Sequence, residues 1–215
     1  MMINFEQYLL ERTGSSAGQQ TKKKVNLDQL KEMIANKDPK IADVDVSEIT
    51  YMRELFKDSD FGGSWTADLS GWDTSGVEDM GYMFSRCSKL KEVELYRTEK
   101  VENMSFMFSH CTSLKEVILP HTESVVKMNF MFDKCAELTE VDMPNTSKVR
   151  EMSYMFGDCK ALQKVPKLDT TSLEDIDGMF ENCKQLKEIP KGMFNKVKTS
   201  KGFLNGTPLK GTKWW

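Results

Sequence analysis

Five cysteines are the residues of this chain most able to do chemistry. They fall at Cys87, Cys111, Cys135, Cys159 and Cys183, each 24 residues after the one before. Thiols pair as disulfides, ligate zinc or act as nucleophiles. A disulfide framework favours an even number of cysteines and zinc sites draw them in closely spaced pairs, so an unbroken 24-residue step fits neither. Thiols set between apolar columns read instead as small buried hydrophobes with weak hydrogen bonds to a turn backbone. The only histidines, His110 and His121, sit in neighbouring repeats at different repeat positions, with no Gly-x-Ser-x-Gly elbow, which gives no support to a catalytic triad. Asp58-Ser59-Asp60-Phe61-Gly62-Gly63 opens in the manner of a calcium loop, but its twelfth position is Leu69, where a bidentate glutamate is needed. A polar loop insertion is the expectation there. The glycines near Gly62, Gly63, Gly71 and Gly76 lack the lysine and the spacing of a phosphate loop. The expectation is a protein with no catalytic residues, no metal and no cofactor.

The 24-residue step belongs to the whole chain. It carries Val77, Val101, Val125, Val149, Leu173 and Val197, then Met80, Met104, Met128, Met152 and Ile176, then the pairs Met83-Phe84, Met107-Phe108, Met131-Phe132, Met155-Phe156 and Met179-Phe180. Leu90, Val93 and their equivalents complete a repeat V-x-x-M-x-x-M-F-x-x-C-x-x-L-x-x-V. An earlier coil, Ile49, Met52, Leu55 and Phe56, precedes the next by 28 residues and so carries a four-residue insertion within Asp58 to Gly71. A degenerate coil, Val197, Ser200, Phe203 and Leu204, ends the array. Apolar columns at one period mean that each coil buries the same positions against its neighbours. The predicted fold is an α/β repeat: a leucine-rich-repeat-like, right-handed solenoid of about seven 24-residue coils. It has a parallel sheet on one face and an N-terminal capping helix. At about 4.8 Å per coil the body would be about 30 Å tall. Leu90-Lys91-Glu92-Val93-Glu94-Leu95 has strand spacing, while the valine-to-cysteine arm, apolar every three or four positions, suits a short helix or 3₁₀ turn.

Val25 to Asn36 places Leu27, Leu30, Met33 and Ile34 on one helical face, suited to covering an open end of the stack. The predicted organisation is a targeting or docking peptide over 1–11, a flexible linker over 12–24, an N-terminal cap over 25–48, the solenoid over 49–205, and a C-terminal cap over 206–215 that closes in Trp214-Trp215.

Trp72-Asp73-Thr74-Ser75, leading into Val77, Met80, Met83, Phe84 and Cys87, resembles the BspA-like leucine-rich-repeat proteins of bacteria. The resemblance runs from about Val25 to Gly206. It implies a surface protein that binds host matrix components or other cells, in adhesin fashion, with no enzymatic activity attached to the repeats. Such proteins usually carry an export signal or lipid anchor. Here the N-terminus has no basic flank and apolar core of a secretory signal, and no apolar stretch is long enough to span a bilayer. Met1 to Glu11 instead places Phe5, Glu6-Gln7, Tyr8, Leu9 and Leu10-Glu11 in an order that resembles the capsid-targeting sequence on internal head proteins of large contractile-tailed phages. That resemblance implies cleavage after the Leu9-Leu10-Glu11 triplet, leaving Arg12 as the new terminus, and delivery to a host cell to bind a host protein. The plainer reading is a short amphipathic helix that docks on the chain's own cap or on a partner. The expected location is the cytoplasm, or a phage virion.

A formal charge of -3, from 30 basic and 33 acidic residues, offers no bulk attraction to nucleic acid or an anionic membrane. A protein, host or self, is the expected partner, and oligomeric state is left open. Strand alternation points Leu90, Val93 and Leu95 inward and Glu92, Glu94 and Tyr96 to solvent. Their equivalents are Glu116 and Ile118, then Glu140, Asp142 and Pro144, and later Lys164 and Glu188. Stacked carboxylates favour a basic partner surface, with Lys91, Lys115 and Lys187 nearby as the alternative source of compensation. A second candidate contact is the column Tyr82, Phe106, Phe130 and Tyr154, which either seals the flank of the stack or forms an apolar patch. Thr74, Thr98, Thr122, Thr146 and Thr170 form a ladder of turn hydroxyls.

Overall fold

The computed structural model describes residues 22–143 and 145–213. The peptide over 1–11 with its triplet Leu9-Leu10-Glu11 and Arg12, most of the linker, Pro144 and Trp214-Trp215 lie outside the described residues.

Lys23–Lys24 form strand β1, paired in parallel with β2, Val44–Asp45, and Lys24 Nζ lies 2.9 Å from the Glu48 carboxylate. A run of lysines reads as solvated linker by composition, yet here the backbone has a partner strand and one ammonium has a counter-charge. Helix α1, Leu27–Ala35, starts where Asn26 accepts from the Gln29 amide at 2.9 Å while the Gln29 side chain accepts from the Asn26 amide at 3.0 Å. This reciprocal box satisfies two of the donors a helix start leaves orphaned. Leu30 is fully buried, and Leu27, Met33 and Ile34 pack against the same core. A 3₁₀ turn, Pro39–Asp43, leads into β2.

Beyond it the backbone repeats. Strands β3 (Glu92–Glu94), β4 (Glu116–Ile118) and β5 (Glu140–Asp142) make a parallel sheet in the order β3-β4-β5, each residue in register with the one 24 positions on. Pro120 follows β4, and Pro166 and Pro190 stand at the repeat position of Ile118 in later coils, where a proline brings no amide to the ladder. Past β5 the sheet continues, among the described residues, as the single bridge Lys164 to Glu188. A second parallel ladder of single bridges links Tyr51, Asp79, Asn103, Lys127, Glu151, Asp175 and Thr199. Between the ladders, the valine, methionine, phenylalanine, cysteine and leucine columns are buried from Val77 to Leu186. Phe56, Phe84, Phe108, Phe132, Phe156 and Phe180 form a continuous stack, with centroids 5.1 to 5.6 Å apart and near-parallel rings. Each ring pair adds about 0.5–1.5 kcal/mol beyond its area burial. The stack ends where Phe203 meets Phe180 edge-on at 5.5 Å.

The valine-to-cysteine arm is neither an α-helix nor a 3₁₀ helix. Met80, Tyr82, Phe84 and Arg86 donate their amides to the carbonyls of Asn103, Ser105, Met107 and Ser109 in the next coil, whereas Met83, Ser85 and Cys87 close turns on the residues three before them. A helix would spend every amide within the segment. Here alternate amides leave it along the stacking direction, which requires left-handed residues at two positions per coil. Tyr82, Phe106, Phe130 and Tyr154 occupy the first, with φ between 54° and 61°, and Arg86, His110, Lys134, Asp158 and Asn182 the second. Three-to-four spacing of apolar residues serves both arrangements, so periodicity does not separate them.

The insertion over Asp58 to Gly71 is less polar than expected. Phe61, Trp65 and Leu69 are buried in it, and Trp72 just beyond donates its indole N–H to the Ile41 carbonyl at 2.9 Å. The Asp60 carboxylate that could have opened a calcium loop accepts instead from the amide and hydroxyl of Ser64.

Candidate interaction surfaces

The thiols have no free chemistry. Cys87, Cys111, Cys135, Cys159 and Cys183 are each buried, and each donates to the carbonyl of the phenylalanine in the preceding coil at 3.0 to 3.1 Å. Burial raises the pKa of all five, Cys87 to about 11 and Cys183 to about 12. At neutral pH they are thiols, and the thiolate is the nucleophile and the ligand. Among the described residues no group of three or more His, Cys, Asp or Glu could hold a metal ion. His110 places Nδ1 2.9 Å from the Ser109 hydroxyl and Nε2 3.3 Å from Lys134 Nζ. Burial first, then Lys134 and Arg86, hold its pKa down. His121 is in a different column, 3.8 Å from Glu123.

On the sheet face the structure brings the acidic column together. Glu92, Glu116 and Glu140 are exposed and adjacent in register, at the roughly 4.8 Å spacing of parallel strands. Lys164 follows and Glu188 pairs with it, so the column continues with one basic break. Among the described residues no ion pair includes Glu92, Glu116, Glu140 or Glu188. Lys115 is 4.0 Å from Glu137 instead, and Lys187 bonds the Gln163 side chain at 2.7 Å. The second column holds Glu94, Ile118 and Asp142, and Tyr96 donates its hydroxyl to Glu94 at 2.7 Å. Val93, Leu95, Val117, Leu119, Val141 and Met143 alternate with these positions and are buried, which is why the face is polar and the underside is core.

The rings of Tyr82, Phe106, Phe130 and Tyr154 also come together. Centroids are 4.5, 4.7 and 4.9 Å apart and planes within 8° of parallel, each ring half-buried. The Arg53 guanidinium covers the outer face of Tyr82 at 4.7 Å. At the other end Tyr154 lies over Gly178, where an added Cβ would come within 2.3 Å of the ring. Both ends of this ladder are therefore occupied, and its rings spend their faces on one another.

Two features escaped sequence reasoning. The threonine ladder bonds across coils: Thr74, Thr122 and Thr146 donate to the carbonyls of Arg97, Asn145 and Asp169 at 2.6, 2.7 and 3.0 Å. The 24-residue recurrence of threonine was the available signal, but not its direction. The second is Asp133, whose carboxyl burial pushes up to about 6 against the opposing pull of Lys134. It stands in a column that otherwise holds Ser85, Ser109, Gly157 and Glu181, so a carboxylate at a mostly small position was its only sign.

The architecture is shared with a solved structure. A leucine-rich-repeat protein from Eubacterium ventriosum superposes with a TM-score of 0.57 at 22% identity, over 79% of this chain and 44% of the other. Leucine-rich-repeat proteins from Bacteroides ovatus (20% identity, 74% of this chain and 39% of the other) and T. pallidum (24%, 51% and 50%) each score 0.40. The chain thus spans less than half the length of the first of these, and the fold it shares with it is a leucine-rich-repeat solenoid. No curated protein matches the chain. Among the described residues no helix is long and apolar enough to cross a membrane. The family described as "Mycoplasma protein of unknown function, DUF285" matches over residues 25–139 and again over 117–208, nearly the whole described array, and the chain belongs to that family.

Proposed function

We propose that this chain is a non-enzymatic protein-binding repeat module that meets its partner with the exposed face of β3, β4 and β5. The observation that carries this reading is the in-register stack of Glu92, Glu116 and Glu140, exposed and outside every ion pair of the described residues. Like charges directly opposite one another on neighbouring strands cost a few tenths of a kcal/mol or more. A basic protein surface offsets that cost, with charge setting encounter rate and salt dependence more than raw affinity. Ile118 gives the patch its apolar centre, Glu94, Tyr96 and Asp142 flank it, and Glu188 extends the acidic column. The ring ladder, closed at both ends, serves to hold the turns. Nucleic acid, membrane and cofactor have no place in this reading.

In the finer version the array has about seven right-handed coils, closed by α1 at one end and by residues 206–215 at the other, and it acts in adhesin fashion. The test is a photo-crosslinking residue placed at Glu116, with the same residue at exposed Glu102, on the other ladder, as comparison. A discrete crosslinked protein from position 116, lost when Glu92, Glu116 and Glu140 are all lysine, is the expected result. Equal crosslinking from position 102 would remove the sheet face from the account.

A second reading adds packaging in a phage head. It is supported by the order of residue types from Phe5 to Glu11. The intact mass of the protein from its natural source decides: a species beginning at Arg12 supports it, and a full-length species ends it.

A further inference from the structure

Each turn arm is tied to the next by the same four hydrogen bonds, and the two terminal coils keep the halves of that pattern that the array does not use. In the first interface Met52, Glu54, Phe56 and Asp58 donate their amides to the carbonyls of Asp79, Gly81, Met83 and Ser85. In the last, Ile176, Gly178, Phe180 and Asn182 donate to Thr199, Lys201, Phe203 and Asn205. The equivalent amides of the final coil belong to Ser200, Gly202, Leu204 and Gly206, and no backbone carbonyl of the described residues accepts from them. The equivalent carbonyls of the first coil belong to Tyr51, Arg53, Leu55 and Lys57, and no backbone amide of the described residues donates to them. One further bond per interface runs the other way. Glu78 donates to the Thr50 carbonyl at 2.8 Å and Lys198 to that of Glu174 at 2.7 Å, which leaves the Thr50 amide outward at one end and the Lys198 carbonyl outward at the other.

The terminal arms also hold the backbone shape of an internal one. Glu54 and Asp58 have φ of 61° and 59°, and Gly202 and Gly206 have 65° and 69°, at the same two left-handed positions as in the coils between them. An extended peptide does not present its carbonyls in that alternation, whereas another arm of this repeat does. Among the described residues, neither α1 nor residues 207–213 bond these backbone groups, so the two ends cover the core and not the arm. Thr50, Tyr51 and Arg53 are exposed at one end, Lys198 and Gly206 at the other. Tyr51, 55% accessible, is the one large apolar side chain exposed among the described residues. From Lys191 to Lys213 the chain carries six lysines and no carboxylate, so two C-terminal ends repel each other. An unpaired edge is a template for further pairing, and here each edge has its complement at the opposite end of the same chain.

We infer that the protein associates with further copies of itself head to tail, the Ser200–Gly206 arm of one copy stacking on the Tyr51–Lys57 arm of the next as one more coil interface. Thr199 then meets Tyr51 of the next copy, which continues the column of single bridges from Tyr51 to Thr199. The contact joins two different surfaces and repeats the coil-to-coil step, so it generates an open series and not a closed dimer. It leaves the face of β3, β4 and β5 free and does not depend on the reading of that face given above. Along a series the acidic patch recurs once per copy, which adds avidity toward a multivalent partner without any new contact.

The experiment is sedimentation equilibrium of the full-length chain, from low to high micromolar concentration, on the parent, Thr50→Pro, Ser200→Pro and their mixture. Each proline removes one outward amide and keeps the coil's own bonds, because the Thr50 and Ser200 carbonyls still accept from Glu78 and Phe203 and neither residue has a positive φ. The parent's weight-average mass is expected to rise with concentration and pass that of a dimer. Each variant alone, blocked at one end, should stay monomeric. The equal mixture, in which each chain keeps one intact end, should form a one-to-one dimer and stop there. Native cysteines that stay unreactive report that a variant keeps its stack. A second measurement needs no proline: Tyr51→Cys and Thr199→Cys chains, mixed and oxidised, should give a disulfide-linked heterodimer, since neighbours about 4.8 Å apart lie within disulfide reach. Three results would overturn the inference. A parent that is monomeric throughout, with no such disulfide, would mean that the ends are satisfied within the chain or by water. A mass that levels at the dimer would mean a closed contact, and association that survives both prolines would place the contact elsewhere.

Discussion

Asp133 is the residue whose ionisation most opposes the fold. Burial raises its carboxyl to about 6, so the native state holds a proton that the unfolded chain, near the ordinary value of 3.8, has already lost. Between those two values stability falls as pH rises, because the unfolded state binds fewer protons. Asp133→Asn should therefore stabilise the protein by about 1 kcal/mol at pH 7, a figure reduced for the solvent that reaches this half-buried group, and the gain should vanish by pH 4. Denaturant melts of both proteins at the two pH values check it. The cysteines make the opposite point: they are reactive by type and inert by placement. A thiol-modifying reagent at pH 8 should label none of the five in the native protein and all five in denaturant. Rapid labelling of Cys135 in the native state would contradict its burial and its hydrogen bond to Phe108. The 24-residue step of the cysteines was legible as structural spacing. Beyond its place in a column of mostly small residues, the sequence does not set the Asp133 carboxyl apart, because its shift comes from burial that the folded stack supplies.

At the scale of elements, the turn arm is a ladder of left-handed residues whose cost is offset by stacking. A left-handed residue other than glycine costs roughly 1–2 kcal/mol, and each ring pair returns about 0.5–1.5 kcal/mol. Gly178 sits at the same position with φ of 60° beneath Tyr154, so Gly178→Ala meets both the backbone penalty and a ring 2.3 Å away. We expect a loss of about 2–3 kcal/mol. Gly192→Ala, with φ of 75° but only the Asn195 side chain at 3.2 Å, should cost about 1 kcal/mol. Equal losses in denaturant titration would show that the ring contact contributes nothing. Thr122→Val tests the hydroxyl ladder. It strips a buried donor from the Asn145 carbonyl and should cost about 1–2 kcal/mol by the same titration. The existence of the arm and its apolar columns was legible. Its hydrogen-bond direction was not, since a short helix and a run of turns bury the same residues.

For the whole molecule, a stack in which each coil touches its neighbours predicts stability built from coil and interface terms. Phe132, flanked by Phe108 and Phe156 at 5.6 and 5.5 Å, holds the middle of the buried stack. Phe132→Ala should cost about 3–5 kcal/mol and split unfolding into two transitions, seen as non-coincident melts from probes placed toward the two ends. A single coincident transition would mean that the coils do not behave as near-neighbour units. At this scale the sequence by itself determined most of the architecture: a 24-residue period with apolar columns can bury its core only by stacking coil on coil, so the solenoid, its register and its polar sheet face were all readable. Tertiary structure alone decided where that order breaks. The insertion keeps its aromatic residues in the core but withholds a strand, and β3 is left as an edge. Periodicity records which residues are buried in a typical coil, whereas an edge is made by what the neighbouring coil fails to provide.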